Sequence, residues 1–174
     1  MGRRTGEEYP MRFAYADPPY VGCGHLYDVA EVDHIALASR LCNEFPDGWA
    51  LSLHTPSLRE VLPLFPAECR VGAWVKPFCS FKPGVPIAYA WEPVLFMGGR
   101  KRKTTVRDWV SANITLKRGF TGAKPVLFGH WIFNLLGMEP DDEFVDLFPG
   151  SGAMGRAWDD WKSQYLWQPT AANG

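Results

Sequence analysis

Cysteine is scarce and unpatterned in this sequence. Cys23, Cys42, Cys69 and Cys79 stand at wide, irregular spacings with no CxxC pair, which argues against a zinc site and against a disulfide scaffold. The expectation is reduced thiols in a cytoplasm, with no metal. No uncharged apolar run reaches the ~20 residues that cross a bilayer, and no signal-like segment opens the chain, so no membrane contact is expected. Net charge is nearly absent, at −1 over 174 residues. Internal repeats and low-complexity tracts are missing too. A chain of this length buries one ordinary core. The expected organisation is a flexible leader over residues 1–10, which lack any apolar period, and one domain over residues 11–174.

What is present points to a packed globule. Hydrophobic residues make up 47% of the chain and eight are tryptophan, more apolar surface than a disordered chain carries. The charge is unevenly spread. Residues 98–124 hold Arg100, Lys101, Arg102, Lys103, Arg107, Lys117, Arg118 and Lys124 against Asp108 alone, plus seven in a chain whose remainder is minus eight. Such asymmetry fits contact with a polyanion, and equally fits a solvated loop.

Periodicity gives the elements. "MRFAYA" reads as a buried strand ending at Asp17. Asp28 with Glu31 reads as a helix start, followed by Val29, Val32, Ile35, Leu41, Cys42 and Phe45 at helical spacing. "GWALSLH" reads as a strand, and Thr55 and Pro56 as cap and first residue of a short helix that Pro63 disturbs. "CRVGAWVK" and "AWEPVLFMGG" are further strands across a Pro- and Gly-rich connection. A basic irregular segment follows. Lys124 and Pro125 open a helix carrying Val126, Phe133 and Leu136 inward, "EFVDLF" is another strand, and "PGSGAMGRAWDDW" turns into a last helix. Alternating strands and helices predict an α/β fold with a largely parallel sheet and helices on both faces.

Two turns carry chemistry. In "DLFPGSG", residues 146–152, a strand enters a glycine-rich turn and then a helix. The helix start offers free backbone N–H groups, and Gly150 and Gly152 let a ligand approach them. In "DPPY", Asp17, Pro18, Pro19 and Tyr20, a strand-ending carboxylate sits on a stiffened backbone beside an aromatic ring; a tight turn would look the same.

"DPPY", then "KP" at Lys124 and Pro125, then "DLFPGSG", with "WVK" and "WEPVLF" between them, resembles the S-adenosylmethionine-dependent DNA amino-methyltransferases. The resemblance is to the branch whose catalytic motif precedes the cofactor loop, small phage-encoded members in particular. It spans about residues 11–162 and implies a Rossmann-like methyltransferase fold with permuted motif order. It also implies roles. Asp17 and the Pro18 carbonyl would accept the hydrogens of an exocyclic amine, Pro19 would help hold them still, and Tyr20 would stack on the flipped base. Phe148, Gly150, Ser151 and Gly152 would wrap the methionine end of S-adenosylmethionine beside Lys124 and Pro125. Asp146 would either reach the cofactor's ammonium or order the loop. Residues 98–124 occupy the place of target-recognition elements, so Arg100, Lys101, Arg102, Lys103, Arg107, Lys117 and Arg118 would contact phosphates. Trp109 is expected to pack this insertion, and neither His25 nor His34 is given a catalytic role.

The pattern breaks near the end. Relatives continue into a second cofactor strand with an acidic tip, whereas "SQYLWQPTAANG" offers only Gln168, a truncated cofactor side. Gln168 substitutes, or cofactor binding is weak, or a homodimer or partner subunit completes the pocket. The expected activity is N6-adenine methylation of DNA. RNA adenosine methylation is the alternative substrate reading, and a catalytically silent nucleic-acid-binding subunit is the alternative of another class.

Overall fold

A computed structural model describes residues 9–21, 31–79, 83–102, 104–114 and 123–167. Residues 1–8 of the leader, His25, Asp28, Lys103, Lys117, Arg118 and Gln168 lie outside the described residues. In chain order the elements are β1 (Arg12–Ala16), α1 (His34–Glu44), β2 (Gly48–Ser52), a 3₁₀ turn (Thr55–Ser57) running into α2 (Leu58–Val61) and a second 3₁₀ turn (Leu62–Leu64), β3 (Arg70–Val75), β4 (Trp91–Gly98), β5 (Trp109–Ser111), α3 (Val126–Leu136), β6 (Glu143–Asp146) and α4 (Ala153–Trp167).

The six strands form one sheet in the order β5-β3-β4-β2-β1-β6. β1 is parallel to β2 and β6, and β3 is parallel to β5; β4 runs antiparallel to both β2 and β3. Five strands thus share one direction and β4 alone opposes them, which makes the sheet largely parallel. Helices cover both faces, and the alternation of side chains along the strands sorts them. Phe13, Tyr15, Ala50, Val94 and Phe96 point to the face holding α3 and α4, where they meet Phe128, Ile132, Phe133, Met154 and Trp158. Ala14, Ala16, Trp49, Leu51 and Leu95 point to the other, against Leu37 and Leu41 of α1, Val61 and Phe65. The two helices of the first face approach closely at Gly129, where an added Cβ would lie 2.5 Å from Ala157 Cβ.

Local structure departs from the sequence reading in several places. α1 begins at His34, capped by Asp33, whose carboxylate accepts from the N–H groups of Ile35 and Ala36. That leaves residues 31–33 outside the helix and Ile35 on its solvent side at 71% exposure. Thr55 makes no side-chain cap; His54 precedes the turn, its Nδ1 2.7 Å from the Ser57 hydroxyl. Val126 faces solvent while Phe133 and Leu136 are buried. The basic segment contains a strand, β5, at the sheet edge, and α4 keeps residues 163–167 helical. Among the described residues no helix is long and apolar enough to cross a membrane.

Candidate active site

β1 is the strand where the order reverses: the chain moves from it to β2 on one side and returns at the end to place β6 on the other. Open α/β sheets hold ligands at the carboxyl ends of strands at such a point. Both turns singled out in the sequence lie there. Tyr15 is in register with Asp146, and the Leu147 N–H donates to the Tyr15 carbonyl at 2.9 Å. The Asp17-Pro18-Pro19-Tyr20 turn and the glycine turn are therefore neighbours, although more than a hundred residues separate them in sequence.

The glycine turn needs its glycines for backbone reasons. Gly150 has φ +44° and Gly152 φ +72°, conformations that cost an ordinary residue roughly 1–2 kcal/mol. The Gly152 N–H closes the turn on the Pro149 carbonyl at 2.6 Å, and Arg156 donates to the Ser151 carbonyl at 2.8 Å. Asp146 accepts from the Phe148 N–H at 3.2 Å, so it orders the loop. Burial, opposed by that hydrogen bond and assisted by nearby Asp17, pushes its pKa up to about 6. Among the described residues it has no cationic partner.

Asp17 heads a chain of buried charges. Its carboxylate lies 3.0 Å from Lys124 Nζ, and the same ammonium lies 3.2 Å from Glu92, which also pairs with Lys76. The Lys124 side chain is 5% exposed and Asp17 is the outermost member at 25%. Four separate elements supply the four groups: the end of β1, the residue before the Pro125 N-cap of α3, the second residue of β4, and the residue after β3. Lys124 Nζ also lies 5.2 Å from the Trp74 ring centre and 5.8 Å from that of Phe128. Trp74 is itself fixed by its indole N–H, which donates to the Ala112 carbonyl at 2.8 Å.

This chain sets the ionisation of the turn. Burial lowers the Lys124 pKa, but Asp17, Tyr15 and Glu92 outweigh it and hold the lysine well above its ordinary value. Burial raises Glu92, yet Lys124 and Lys76 bring it below the ordinary glutamate value. At Asp17 burial wins: its pKa is raised although Lys124 opposes the shift. Beneath it Tyr15 shares a 2.7 Å hydrogen bond with Ser52, and burial lifts the phenol well above its usual pKa. Tyr20 lies flat against His54, centroids 4.4 Å apart and planes 3° from parallel. Burial lowers the His54 pKa, against the pull of Glu92 and Glu60.

Glu92, Lys76 and His54 were missed by the sequence reading. Glu92 carried a usable signal, being a lone acid inside the apolar strand "WEPVLF", since a charge buried in a sheet requires a partner. Lys124 belongs to this internal chain and adds nothing to the surface charge of the basic segment. Arg100 is likewise drawn inward: it pairs with Asp142 at 2.7 Å and Glu139 at 3.4 Å, and donates to the Gly137 carbonyl. The strand register adds a second correction. Glu92 pairs with Trp74 at the Asp17 end, whereas Gly98 pairs with Gly48 at the start of β2. Arg100 and Arg102 follow Gly98, so they sit at the opposite end of the sheet, about 20 Å away at ~3.3 Å per residue. There they line a groove of about 360 Å³ with Arg70, Glu68 and Thr105. Lys101 is exposed, and Arg107 lies over the Trp109 ring at 5.4 Å on the edge strand.

No protein-family model matches the sequence, and neither does any curated protein. Solved structures do. M1.HpyAVI in complex with SAM superposes with a TM-score of 0.59 at 15% identity, over 88% of this chain and 79% of that one. M1.HpyAVI alone gives 0.54 at 14% over 88% and 77%. TTHA0409, assigned as a DNA modification methylase of Thermus thermophilus, gives 0.51 at 16% over 88% and 79%. The fold is the Rossmann-like fold of these methyltransferases.

Proposed function

We propose that this chain is an S-adenosylmethionine-dependent methyltransferase acting on the exocyclic N6 amine of adenine in DNA. The observation that supports it most is the junction of β1 and β6, where a carboxylate on a proline-stiffened turn adjoins a glycine turn that opens a helix. The fold shared with M1.HpyAVI, which binds SAM, supports the same reading.

The residues present fit the cofactor. Asp146 is a half-buried carboxylate whose pKa burial and nearby Asp17 raise, with no cationic partner among the described residues, and the ammonium of the methionine moiety would supply one. Phe148, Ser151 and the glycine turn surround that end, with Pro125 starting the adjacent helix. When bound, S-adenosylmethionine supplies a methyl group on a sulfonium. The protein's own residues prepare the acceptor. An exocyclic amine is a poor nucleophile because its lone pair is delocalised into the ring. Asp17 accepts one of its hydrogens and the Pro18 carbonyl the other, which turns the lone pair toward the methyl group. Pro18 and Pro19 keep those acceptors from reorganising. Lys124, held by Glu92 and Lys76, fixes the Asp17 carboxylate and takes no proton itself, because its pKa is held high. The Tyr20 ring, whose plane His54 sets, stacks on the base and offsets part of the cost of unstacking it. Lys101 and Arg107 are exposed, but Lys101 sits between Arg100 and Arg102 at the far end of the sheet and Arg107 precedes β5 on the Arg70 side, so any phosphates they meet are remote from the target base.

Incubation with methyl-labelled cofactor and separate samples of duplex DNA, single-stranded DNA and RNA tests the proposal. Label on DNA at N6 of adenine supports it. Label confined to RNA transfers the same chemistry to the other nucleic acid, and binding without label on any sample means a silent subunit.

A further inference from the structure

The charge pattern of the sequence pointed to residues 98–124 as the nucleic-acid surface, yet the catalytic turn is rimmed by something else. The Lys76 N–H donates to the Ala90 carbonyl at 2.8 Å, carrying the β3/β4 ladder one step past the Val75 and Trp91 pair. The connection between these strands therefore rises from the same sheet end as Asp17. Its described residues and the first residue of β4 expose large side chains: Phe78 at 66%, Ile87 at 82%, Tyr89 at 48% and Trp91 at 40%. On the neighbouring strand, Ser52 pairs with Val94 and the Leu53 N–H reaches the Pro93 carbonyl at 3.0 Å. This puts His54, with Tyr20 stacked on it, level with Glu92 and next to Trp91.

Three properties of this rim define its ligand. Three of the four exposed side chains are aromatic, and among the described residues none of Phe78, Tyr89 and Trp91 pairs with another ring, whereas the core aromatics do so repeatedly. Residues 76–91 contain no acidic residue, and the adjoining Glu92 is neutralised by two lysines, so this segment itself brings no free carboxylate against phosphate; the exposed acid near the rim is Glu60, which acts on His54. The patch is also continuous with the turn that handles the target base. Exposed rings on a segment free of acids are the features with which proteins stack unpaired bases.

We infer that Phe78, Tyr89 and Trp91 form a stacking platform for the nucleotides flanking the target, and that the protein engages an unpaired strand in preference to a duplex. This rests on the methyltransferase reading for its biological sense, but it is tested by binding alone. The experiment is fluorescence anisotropy of a dye-labelled, adenine-containing oligonucleotide with the full chain, single-stranded or annealed to its complement, without cofactor. Single strand should bind at least about tenfold more tightly than duplex. Phe78→Leu, Tyr89→Leu and Trp91→Leu keep apolar bulk while removing the π-face, and each should weaken single-strand binding roughly tenfold with an unchanged melting temperature. Ile87→Ser should leave binding unaltered. Leucine variants that bind like the native protein, a preference for duplex, or equal losses in the leucine and Ile87→Ser variants would each overturn the platform. If those variants bind normally while the native protein still transfers label, the platform falls and the enzyme stands. Loss of binding in the variants with no label from the native protein does the reverse.

Discussion

Asp146→Asn should stabilise the protein while impairing it. The carboxyl's pKa stands at about 6 in the folded chain against an ordinary 3.8. A group whose pKa is raised by folding binds its proton more tightly in the native state, so ionisation above that range works against folding. Two units correspond to about 3 kcal/mol at 1.36 kcal/mol each. Because Asp146 is only half-buried, solvent screening reduces this to about 1–2 kcal/mol. For a domain of this size that is a rise of roughly 3–6 °C in melting temperature. The asparagine oxygen can still accept from the Phe148 N–H, so the loop keeps its hydrogen bond. Thermal unfolding of both proteins at several pH values is the assay. The variant should melt higher above about pH 6, with the gap closing as pH falls and vanishing below about pH 4. Cofactor affinity, measured by calorimetry at neutral pH, should drop. A variant that melts lower at neutral pH, or whose advantage persists in acid, would refute the electrostatic argument.

Other expectations follow from the same geometry. Glu92→Gln strips the charge that faces Lys76 and Lys124; it should cost about 3–5 kcal/mol by chemical denaturation and lower kcat more than it raises KM. Transfer should decline as pH falls through the pKa of Asp17, which burial raises above its ordinary value, read from the pH profile of kcat under saturating cofactor. Gly129→Ala must push α3 and α4 apart, because its Cβ would meet Ala157 Cβ at 2.5 Å; a loss of about 1–3 kcal/mol is expected, measured by urea unfolding. Tyr15→Phe leaves the Ser52 hydroxyl without its 2.7 Å partner and should cost about 1–2 kcal/mol in the same measurement.

What was legible in the sequence was local. The apolar run before Asp17 announced β1, because a buried parallel strand is a nearly unbroken apolar stretch; β6, a half-exposed edge strand reading EFVD, was announced instead by the glycine turn that follows it. The turns that follow are marked by proline and glycine, whose backbone demands are visible in one residue. What escaped depends on partners far along the chain. Arg100 looks like a surface cation until Asp142 is seen buried beside it, 42 residues on. β5 is three residues long and owes its existence to pairing with β3, so no periodicity could reveal it. The start of α1 was placed too early: Asp28 with Glu31 has the pattern of a cap, but residues 31–33 are outside the helix and the carboxylate of Asp33 caps it. Glu92 was the one missed site residue with a signal of its own, a charge inside an apolar strand.

Single-turnover transfer from labelled S-adenosylmethionine to an adenine-containing DNA strand, run in parallel on the native protein and on Asp17→Ala with cofactor affinity measured on the same samples, bears most directly on the paired turns as one site. The native protein should label N6 of adenine, and Asp17→Ala should bind the cofactor nearly as well yet transfer no label. Label from the variant at the native rate, or cofactor binding by neither protein, would contradict the site described at the β1 and β6 junction.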